Sequence, residues 1–265
     1  MSQPVLWHFT FSHYAEKARW ALDFKGIPHE RRALVAGLHY PRVWWATGQS
    51  TVPVLILDGK PIADSSQIIA ALEARWPQPP LYPGDPDQRR RALALEDYFD
   101  EECGHDLRRA LMYEVMAGPD RGIAEAVAIF STGQGAGVRR FYRASFPGMR
   151  RFLAWRFRVT ADGAERSRAK IEAALDRIET ERRGGPYLVG DRFTVADLTA
   201  AALLYLLVSP PEFPYPVPQR QPSGAFWDAL ARHPALDWIR EIYRRHRGTS
   251  AEARARPVPV ETAAG

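Results

Sequence analysis

A short polar turn between an apolar segment and a helix carries the first residues suited to chemistry. Ser12, His13 and Tyr14 follow the apolar residues 5–9 and overlap the start of the helical spacing over 15–25. A serine hydroxyl at a helix N-terminus lies beside free amides and the positive end of the helix dipole, which favour an anion. Such a place suits a thiolate, whose charge needs stabilisation at neutral pH. Ser12 is also suited to cap the helix, and taken alone it favours that simpler role.

A proline opens the apolar residues 54–57, which have the length and composition of a strand. Pro53 has no backbone N–H, so its simplest role is to begin a strand where no donor is needed. A cis peptide bond between Val52 and Pro53 would instead leave the backbone of Val52 exposed to pair with an extended, peptide-like ligand. Both interpretations stay open at this stage.

Asp64 and Ser65 lie at the start of the helix predicted over residues 64–76. Both residue types cap helices, and capping needs no ligand. The same helix N-terminus with Ser65 would also bind a carboxylate, while the Asp64 carboxylate would hold an ammonium group. The pair therefore fits a ligand that carries one group of each sign, as the end of an amino acid does.

Thr194 and Asp197 have the three-residue separation of a capping box, with aspartate in place of the usual glutamate. Phe193 stands where a hydrophobic staple begins. We interpret this pair as structural, so losing either side chain should damage folding more than chemistry.

The first eighty residues predict the elements that would position these groups. The pattern gives a strand, a helix and a strand, then a loop with Trp44 and Trp45, and then two strands and a helix. Asp58 and Gly59 separate two apolar runs, which is a hairpin signal. The predicted elements are residues 5–9, 15–25, 29–35, 54–57, 60–63 and 64–76.

Five prolines between positions 77 and 86 break any regular element. We therefore divide the chain into an α/β domain over 1–80, a linker over 81–86, an all-α domain over 87–248 and a disordered tail over 249–265. Helical spacing beyond the linker predicts helices over residues 87–115, 123–130, 138–142, 149–157, 165–182, 194–208, 225–232 and 236–245.

The composition excludes several classes of protein. Hydrophobic residues make up 46% of the 265 residues and charged residues 25%, which argues against disorder. No apolar run approaches the roughly 20 residues of a spanning helix, and no secretion leader precedes the first strand, so a cytoplasmic location is expected. One cysteine, Cys103, excludes an internal disulfide and a cysteine zinc cluster, and no metal site is predicted.

The net charge of +5 raises the question of nucleic acid binding. Basic and acidic residues alternate along most of the chain, which is typical of solvated helix faces. The exception is residues 138–160, with seven arginines, six aromatic residues and no acid. This segment could touch a membrane or nucleic acid. We favour inward packing, because Pro147 and Gly148 should interrupt a long surface helix, with the arginines paired to acids such as those at 97, 100, 101 and 102.

Four of the features described above resemble, in their order along the chain, those of a cytosolic glutathione transferase. They are the turn at Ser12, the Val52-Pro53 pair, the Asp64-Ser65 pair and the capping box at Thr194 and Asp197. The resemblance implies a thioredoxin-like N-terminal domain that binds glutathione and an all-α C-terminal domain that supplies most of the pocket for a small hydrophobic electrophile. It implies that Ser12 donates a hydrogen bond to the glutathione sulfur and lowers the thiol pKa. The backbone of Val52, before cis Pro53, would pair with the cysteinyl part. Asp64 and Ser65 would hold the γ-glutamyl end, and Gln49 would reach the glycyl carboxylate.

The sequence also departs from the family pattern. Ser12 and Ala15 stand where the glutaredoxin-like members have cysteines, which argues against a redox role. His13 or Tyr14 could share the activation of the thiol. Asp64 is one methylene shorter than the common glutamate. The resemblance further implies a homodimer and no nucleic acid partner. Two alternatives remain: a non-catalytic binding or scaffold protein of the same fold, and an enzyme that uses another low-molecular-weight thiol.

Overall fold

A four-stranded sheet organises the N-terminal part of the chain. The structure, a computed structural model, describes residues 2–117, 121–132, 134–215 and 224–253. The strands lie in the order β2-β1-β3-β4; β1 and β2 are parallel, and β3 pairs antiparallel with both β1 and β4. Asp58 and Gly59, both at positive φ, turn β3 into β4, which confirms the predicted hairpin. The strands are β1 (Val5–His8), β2 (Glu30–Ala33), β3 (Val54–Leu57) and β4 (Lys60–Ala63).

Helices cover the sheet and make up the regular structure of the described C-terminal part, which confirms the predicted α/β plus all-α fold class. A π-helical turn, Phe99–Gly104, joins α4 to α5. The helices are α1 (His13–Phe24), α2 (Tyr40–Thr47), α3 (Ser65–Arg75), α4 (Pro86–Tyr98), α5 (His105–Ala117), α6 (Arg121–Phe130), α7 (Ala136–Arg156), α8 (Ala161–Arg182), α9 (Val195–Val208), α10 (Ala225–Leu230) and α11 (Pro234–His246).

One hydrophobic core joins the two parts. Its centre is α9, an almost wholly apolar helix that packs against α1, α4 and α11. Leu6 and Trp20 from the N-terminal part share this core with Leu203 and Tyr243 from the C-terminal part. Because both parts bury apolar surface against each other, the cavity between them has fixed walls on both sides.

The predicted loop around Trp44 and Trp45 is wrong, because these residues lie in α2. Pro41 stands at the start of α2, where its fixed φ favours a helix, and Gly48 ends the helix at a φ of 69°. Trp44 and Trp45 remain 61% and 88% exposed, so α2 forms without burying either tryptophan.

The predicted interruption at Pro147 and Gly148 is also wrong, because α7 runs through both residues. A proline inside a helix removes one N–H donor and leaves the carbonyl four residues earlier without its partner. That carbonyl belongs to Arg143, and both residues are exposed, so water can satisfy it. The helix therefore tolerates Pro147.

The aromatic and basic segment over 138–160 is packed inward only in part. Tyr142 and Phe146 are buried, whereas Phe141, Phe152 and Trp155 are exposed. The expected pairing of its arginines with acids is wrong for the described residues: none of the seven forms an ion pair there. Two of the acids that were expected to pair with these arginines have other partners: Asp100 pairs with Lys17, and Glu102 pairs with Lys170. No described helix is long and apolar enough to cross a membrane.

The beginning of the predicted disordered tail is ordered, which corrects that prediction for residues 249–253. The His29 amide donates to the Ala251 carbonyl at 3.4 Å, and the Ala253 amide donates to the His29 carbonyl at 2.9 Å. Just before this segment, Arg247 forms buried ion pairs with Glu16 at 2.6 Å and Asp23 at 2.8 Å. Residues 254–265 lie outside the described residues.

Candidate active site

A cavity of about 1000 Å³ opens between the loops of the N-terminal sheet and the helices of the C-terminal part. One wall carries Ser12, Val52, Pro53, Asp64 and Ser65, which the sequence predicted as site residues. The opposite wall is mainly apolar and comes from α5, α6 and α7. Its apolar residues are Leu111, Met112, Val115, Met116, Ala126, Ile129, Phe130, Met149, Phe152, Leu153 and Phe157. A polar wall that faces an apolar one suits a ligand with a polar and an apolar part.

Ser12 lies at the N-terminus of α1, facing the cavity. Its Oγ accepts a hydrogen bond from the Ala15 amide at 3.2 Å, so the side chain is the N-cap of α1. The hydroxyl proton is not used in that bond and stays available to a ligand. Capping and ligand binding are therefore compatible at Ser12.

His13 is buried behind Ser12. Its Nε2 has no hydrogen-bond partner in the described part of the chain and is closed to solvent. Burial, with smaller contributions from the nearby Arg108 and His105, lowers the pKa of His13 to about 3. The ring is therefore neutral at physiological pH.

We expect His13 to make the fold sensitive to mild acid. The pKa of this histidine is about 6.5 in the unfolded chain and about 3 in the folded chain. Between these pH values the unfolded chain binds a proton that the folded chain does not, so the free energy of unfolding falls as the pH falls below 6.5. Between about pH 7 and pH 5 the loss from His13 alone is roughly 2 kcal/mol. Urea unfolding at several pH values measures this slope, and His13→Gln should make it shallower. Equal slopes for the two proteins would contradict the expectation.

The Tyr14 hydroxyl is bonded within the protein and is not available to activate a thiol. The hydroxyl donates to the backbone carbonyl of Asp100 at 2.7 Å and lies 3.3 Å from Nδ1 of His105. Burial, and next the charge of Asp100, raise the pKa of Tyr14 well above its usual value. The hydroxyl thus stays protonated and bonded to the turn between α4 and α5.

The bond between Val52 and Pro53 is cis. Val52 lies just before β3 and lines the same cavity as Ser12 and Ser65. Gln49, the predicted contact for a terminal carboxylate, is exposed and does not line the cavity. The structure thus brings together seven of the eight predicted residues and leaves Gln49 outside.

Asp64 and Ser65 begin α3 at the cavity wall. Oδ1 of Asp64 accepts hydrogen bonds from the amides of Ser66 at 2.9 Å and Gln67 at 3.1 Å, which makes Asp64 the N-cap. The φ of Asp64 is 74°, a conformation that costs energy for a residue other than glycine and is often found at ligand sites. Ser65 is buried against this helix end.

A buried cluster that sequence analysis missed supports this wall from behind. Lys17 of α1 donates to Ser66 Oγ at 2.7 Å and pairs with Asp100 at 2.5 Å and Glu96 at 2.8 Å. The Ser66 hydroxyl donates in turn to Asp100 at 2.7 Å. The cluster joins α1, α3, α4 and the π-helical turn, so it fixes Ser12 and Asp64 relative to the C-terminal wall.

The chain matches two sequence models of known domains. The glutathione S-transferase N-terminal domain matches residues 6–80, and the glutathione S-transferase C-terminal domain matches residues 161–246. Among curated relatives, a probable glutathione S-transferase of Nicotiana plumbaginifolia is 32% identical over 40% of this chain and 49% of its own. A maleylpyruvate isomerase of a Ralstonia species is 36% identical over 34% of this chain and 44% of its own. The chain thus matches about half the length of these relatives.

Solved structures extend the similarity over most of the chain. A glutathione S-transferase of Methylobacterium radiotolerans, solved with glutathione sulfonate, has a TM-score of 0.59 at 26% identity and covers 97% of this chain and 98% of its own. The β-etherase LigF of a Sphingobium species has a TM-score of 0.65 at 20% identity, covers 93% of this chain and 97% of its own, and supports the fold alone. Because both domain models match, in order, over more than half of its residues, the chain belongs to the glutathione S-transferase superfamily.

Proposed function

We propose that this protein is a glutathione-dependent enzyme in which Ser12 activates the glutathione thiol for attack on an electrophile. The observation that carries the proposal is the cavity in which Ser12, Val52 and the Asp64–Ser65 pair share one wall opposite an apolar one. The glutathione S-transferase of Methylobacterium radiotolerans, solved with glutathione sulfonate, supports glutathione as the thiol.

Ser12 acts on the protonation of the thiol. Its hydroxyl donates to the sulfur, and the N-terminus of α1 adds a favourable potential for the anion. A hydrogen bond to the charged form of an acid lowers its pKa, so more thiolate is present at neutral pH. Ser12 is the thiol-activating group because the Tyr14 hydroxyl is bonded to Asp100 and His13 Nε2 is enclosed.

The neighbouring wall positions the cysteinyl and γ-glutamyl parts of glutathione. The backbone of Val52 pairs with the cysteinyl part, as an added strand pairs with a sheet edge. Asp64 holds the ammonium of the γ-glutamyl group, and the N-terminus of α3 at Ser65 holds its carboxylate. Gln49 would have to move to reach the glycyl carboxylate.

The chemical step forms one bond and breaks one. The sulfur lone pair of the thiolate attacks the electrophilic carbon and forms a carbon–sulfur bond, and the leaving group departs with its electron pair. The thiol proton has passed to solvent beforehand. The apolar wall holds the electrophile close to the sulfur, which contributes through proximity.

An isomerase is the second candidate, favoured by the 36% identity to the maleylpyruvate isomerase. An isomerase would return glutathione unchanged, whereas a transferase consumes it. Counting free thiol during turnover therefore separates the two reactions.

Calorimetric titration with glutathione tests the binding part of the proposal. Wild type should bind, and Asp64→Ala should weaken binding about tenfold or more through the loss of a charged hydrogen bond. Asp85→Ala is a matched control, since Asp85 caps α4 through the amides of Asp87 and Gln88 and lies outside the cavity. Equal affinity of the Asp64 and Asp85 variants, or no binding by wild type, would refute the proposed site.

A homodimer and a cytoplasmic location are also part of this proposal. Both follow from the resemblance to the glutathione transferase family. Analytical ultracentrifugation should give twice the chain mass of 29.9 kDa. A monomer at all concentrations would contradict the dimer.

A further inference from the structure

Arg108 of α5 is a cationic group in the cavity that the proposed glutathione site does not use. It lines the cavity, and its guanidinium lies 4.4 Å from the centre of the Phe157 ring. Its Nε is closed to solvent and has no hydrogen-bond partner among the described residues. Stacking on Phe157 fixes the plane of the guanidinium and leaves its edge able to bind a planar anion.

The protein supplies no counterion for Arg108 in the described part of the chain, where no carboxylate pairs with it. Of the acids that line the cavity, Asp100 pairs with Lys17, Glu114 pairs with Arg168 and Asp64 caps α3, whereas Asp97 and Glu101 line the cavity without an ion pair to Arg108. Burial lowers the pKa of Arg108, and nearby arginines add to that effect. Keeping a cation in a partly buried place without a partner costs stability, which is typical of a group that waits for an anionic ligand.

The neighbours of Arg108 place this anion close to the reacting thiol. The charge of Arg108 acts on His13 and Tyr14, which directly follow Ser12, and on His105 at the start of α5. Both histidines have lowered pKa values and do not compete as cations. Arg156 also lines the cavity and adds positive charge. An anionic group bound here would lie between the polar wall and the apolar wall.

We propose that Arg108 binds a carboxylate of the electrophile, so that the acceptor substrates are acidic electrophiles with an apolar body. This inference rests on the proposed function, because it assigns the second substrate of the same cavity. The carboxylate pairs with the guanidinium edge, ideally through two parallel hydrogen bonds. The apolar body lies against α5, α6 and α7.

A matched pair of electrophiles tests the inference: a para-chloro-dinitrobenzoate and its methyl ester. In both, the thiolate of glutathione attacks the ring carbon that bears chlorine, the carbon–sulfur bond forms, and chloride leaves with its electron pair. The two differ in the charge that Arg108 would bind and also in ring activation, because a methyl ester withdraws electrons more strongly than a carboxylate. Each kcat/KM is therefore divided by the uncatalysed rate constant of the same electrophile with glutathione, and wild type should have the higher ratio for the benzoate.

The variants are Arg108→Met, Arg108→Lys and the control Arg143→Met on the exposed part of α7. Arg108→Met should lower kcat/KM for the benzoate about 10- to 100-fold and change the ester less than about threefold. Arg108→Lys should give a kcat/KM for the benzoate between those of wild type and Arg108→Met. Lysine keeps the positive charge but cannot donate two parallel hydrogen bonds to a carboxylate. Arg143→Met should match wild type. Melting by circular dichroism shows whether each variant folds, and Arg108→Met should melt no lower than wild type.

Calorimetry with the two glutathione conjugates separates this inference from the proposed function. Arg108→Met should weaken binding of the acid conjugate about 10- to 100-fold and leave free glutathione and the ester conjugate unchanged. If wild type binds glutathione but does not prefer the acid conjugate, only this inference is wrong. It is also wrong if Arg108→Met weakens both conjugates equally or weakens glutathione itself. If wild type binds neither glutathione nor the conjugates, the proposed function fails as well.

Discussion

Replacing Ser12 by alanine is expected to lower kcat/KM for glutathione conjugation about 10- to 100-fold, with glutathione affinity changed less than about threefold. The hydroxyl donates to a charged sulfur, and such hydrogen bonds contribute roughly 1.5–3 kcal/mol. A loss of about 1.4 kcal/mol corresponds to a tenfold loss of rate. Steady-state kinetics with a chlorodinitrobenzene electrophile measures the effect.

The control for Ser12→Ala is Thr160→Ala. Both residues are N-caps that accept one backbone amide, Ala15 at 3.2 Å and Gly163 at 3.0 Å, so each replacement should cost about 1 kcal/mol of stability. Thr160 does not line the cavity, and its variant should keep wild-type turnover. Unchanged turnover in Ser12→Ala would favour the alternative of a binding protein that has kept the fold and lost thiol activation.

Replacing Asp197 by alanine is expected to remove about 2–5 kcal/mol of the free energy of unfolding. The buried carboxylate accepts hydrogen bonds from the Leu188 amide at 2.7 Å, the Thr194 amide at 2.8 Å and the Thr194 hydroxyl at 2.9 Å. Alanine would leave two buried backbone donors unpaired, each at a cost of about 1–3 kcal/mol. Chemical unfolding measures the loss, and the active fraction should retain its kcat.

Two further variants sharpen the Asp197 experiment. Burial raises the pKa of Asp197 to about 6, which shows that burying its charge costs free energy and that the hydrogen bonds it accepts are what stabilise the fold. Asp197→Asn keeps an acceptor oxygen and should lose less than the alanine variant. Asp191→Ala removes an 89% exposed carboxylate from the same loop and should change stability by less than about 0.5 kcal/mol. A similar loss in the Asp191 and Asp197 alanine variants would contradict the structural role of the capping box.

Features that depend on neighbouring residues could be predicted from the sequence. The capping pair Thr194 and Asp197 and the turn at Asp58 and Gly59 require only short stretches of chain. The N-caps at Ser12 and Asp64 are also local. The order of strands and helices in the first eighty residues follows from the same local patterns, apart from α2.

Features that depend on distant residues could not be predicted. Lys17 meets Asp100 only after α1 packs against the π-helical turn, and Arg108 enters the cavity only once α5 is in place. The pairing of His29 with residues 251–253 likewise joins segments that are more than 200 residues apart in the sequence. Pro147 does not end α7, because the carbonyl that lacks its donor belongs to exposed Arg143, where water can bind it.

The most direct test of thiol activation is an ultraviolet titration of the thiolate of glutathione bound to the protein. A free cysteine thiol has a pKa of about 8.5, and the bound thiol should titrate at least about one unit lower in the wild-type protein. In Ser12→Ala the apparent pKa should return toward the value of the free thiol. A bound thiol that titrates like free glutathione in wild type, or equally in both proteins, would contradict activation by Ser12.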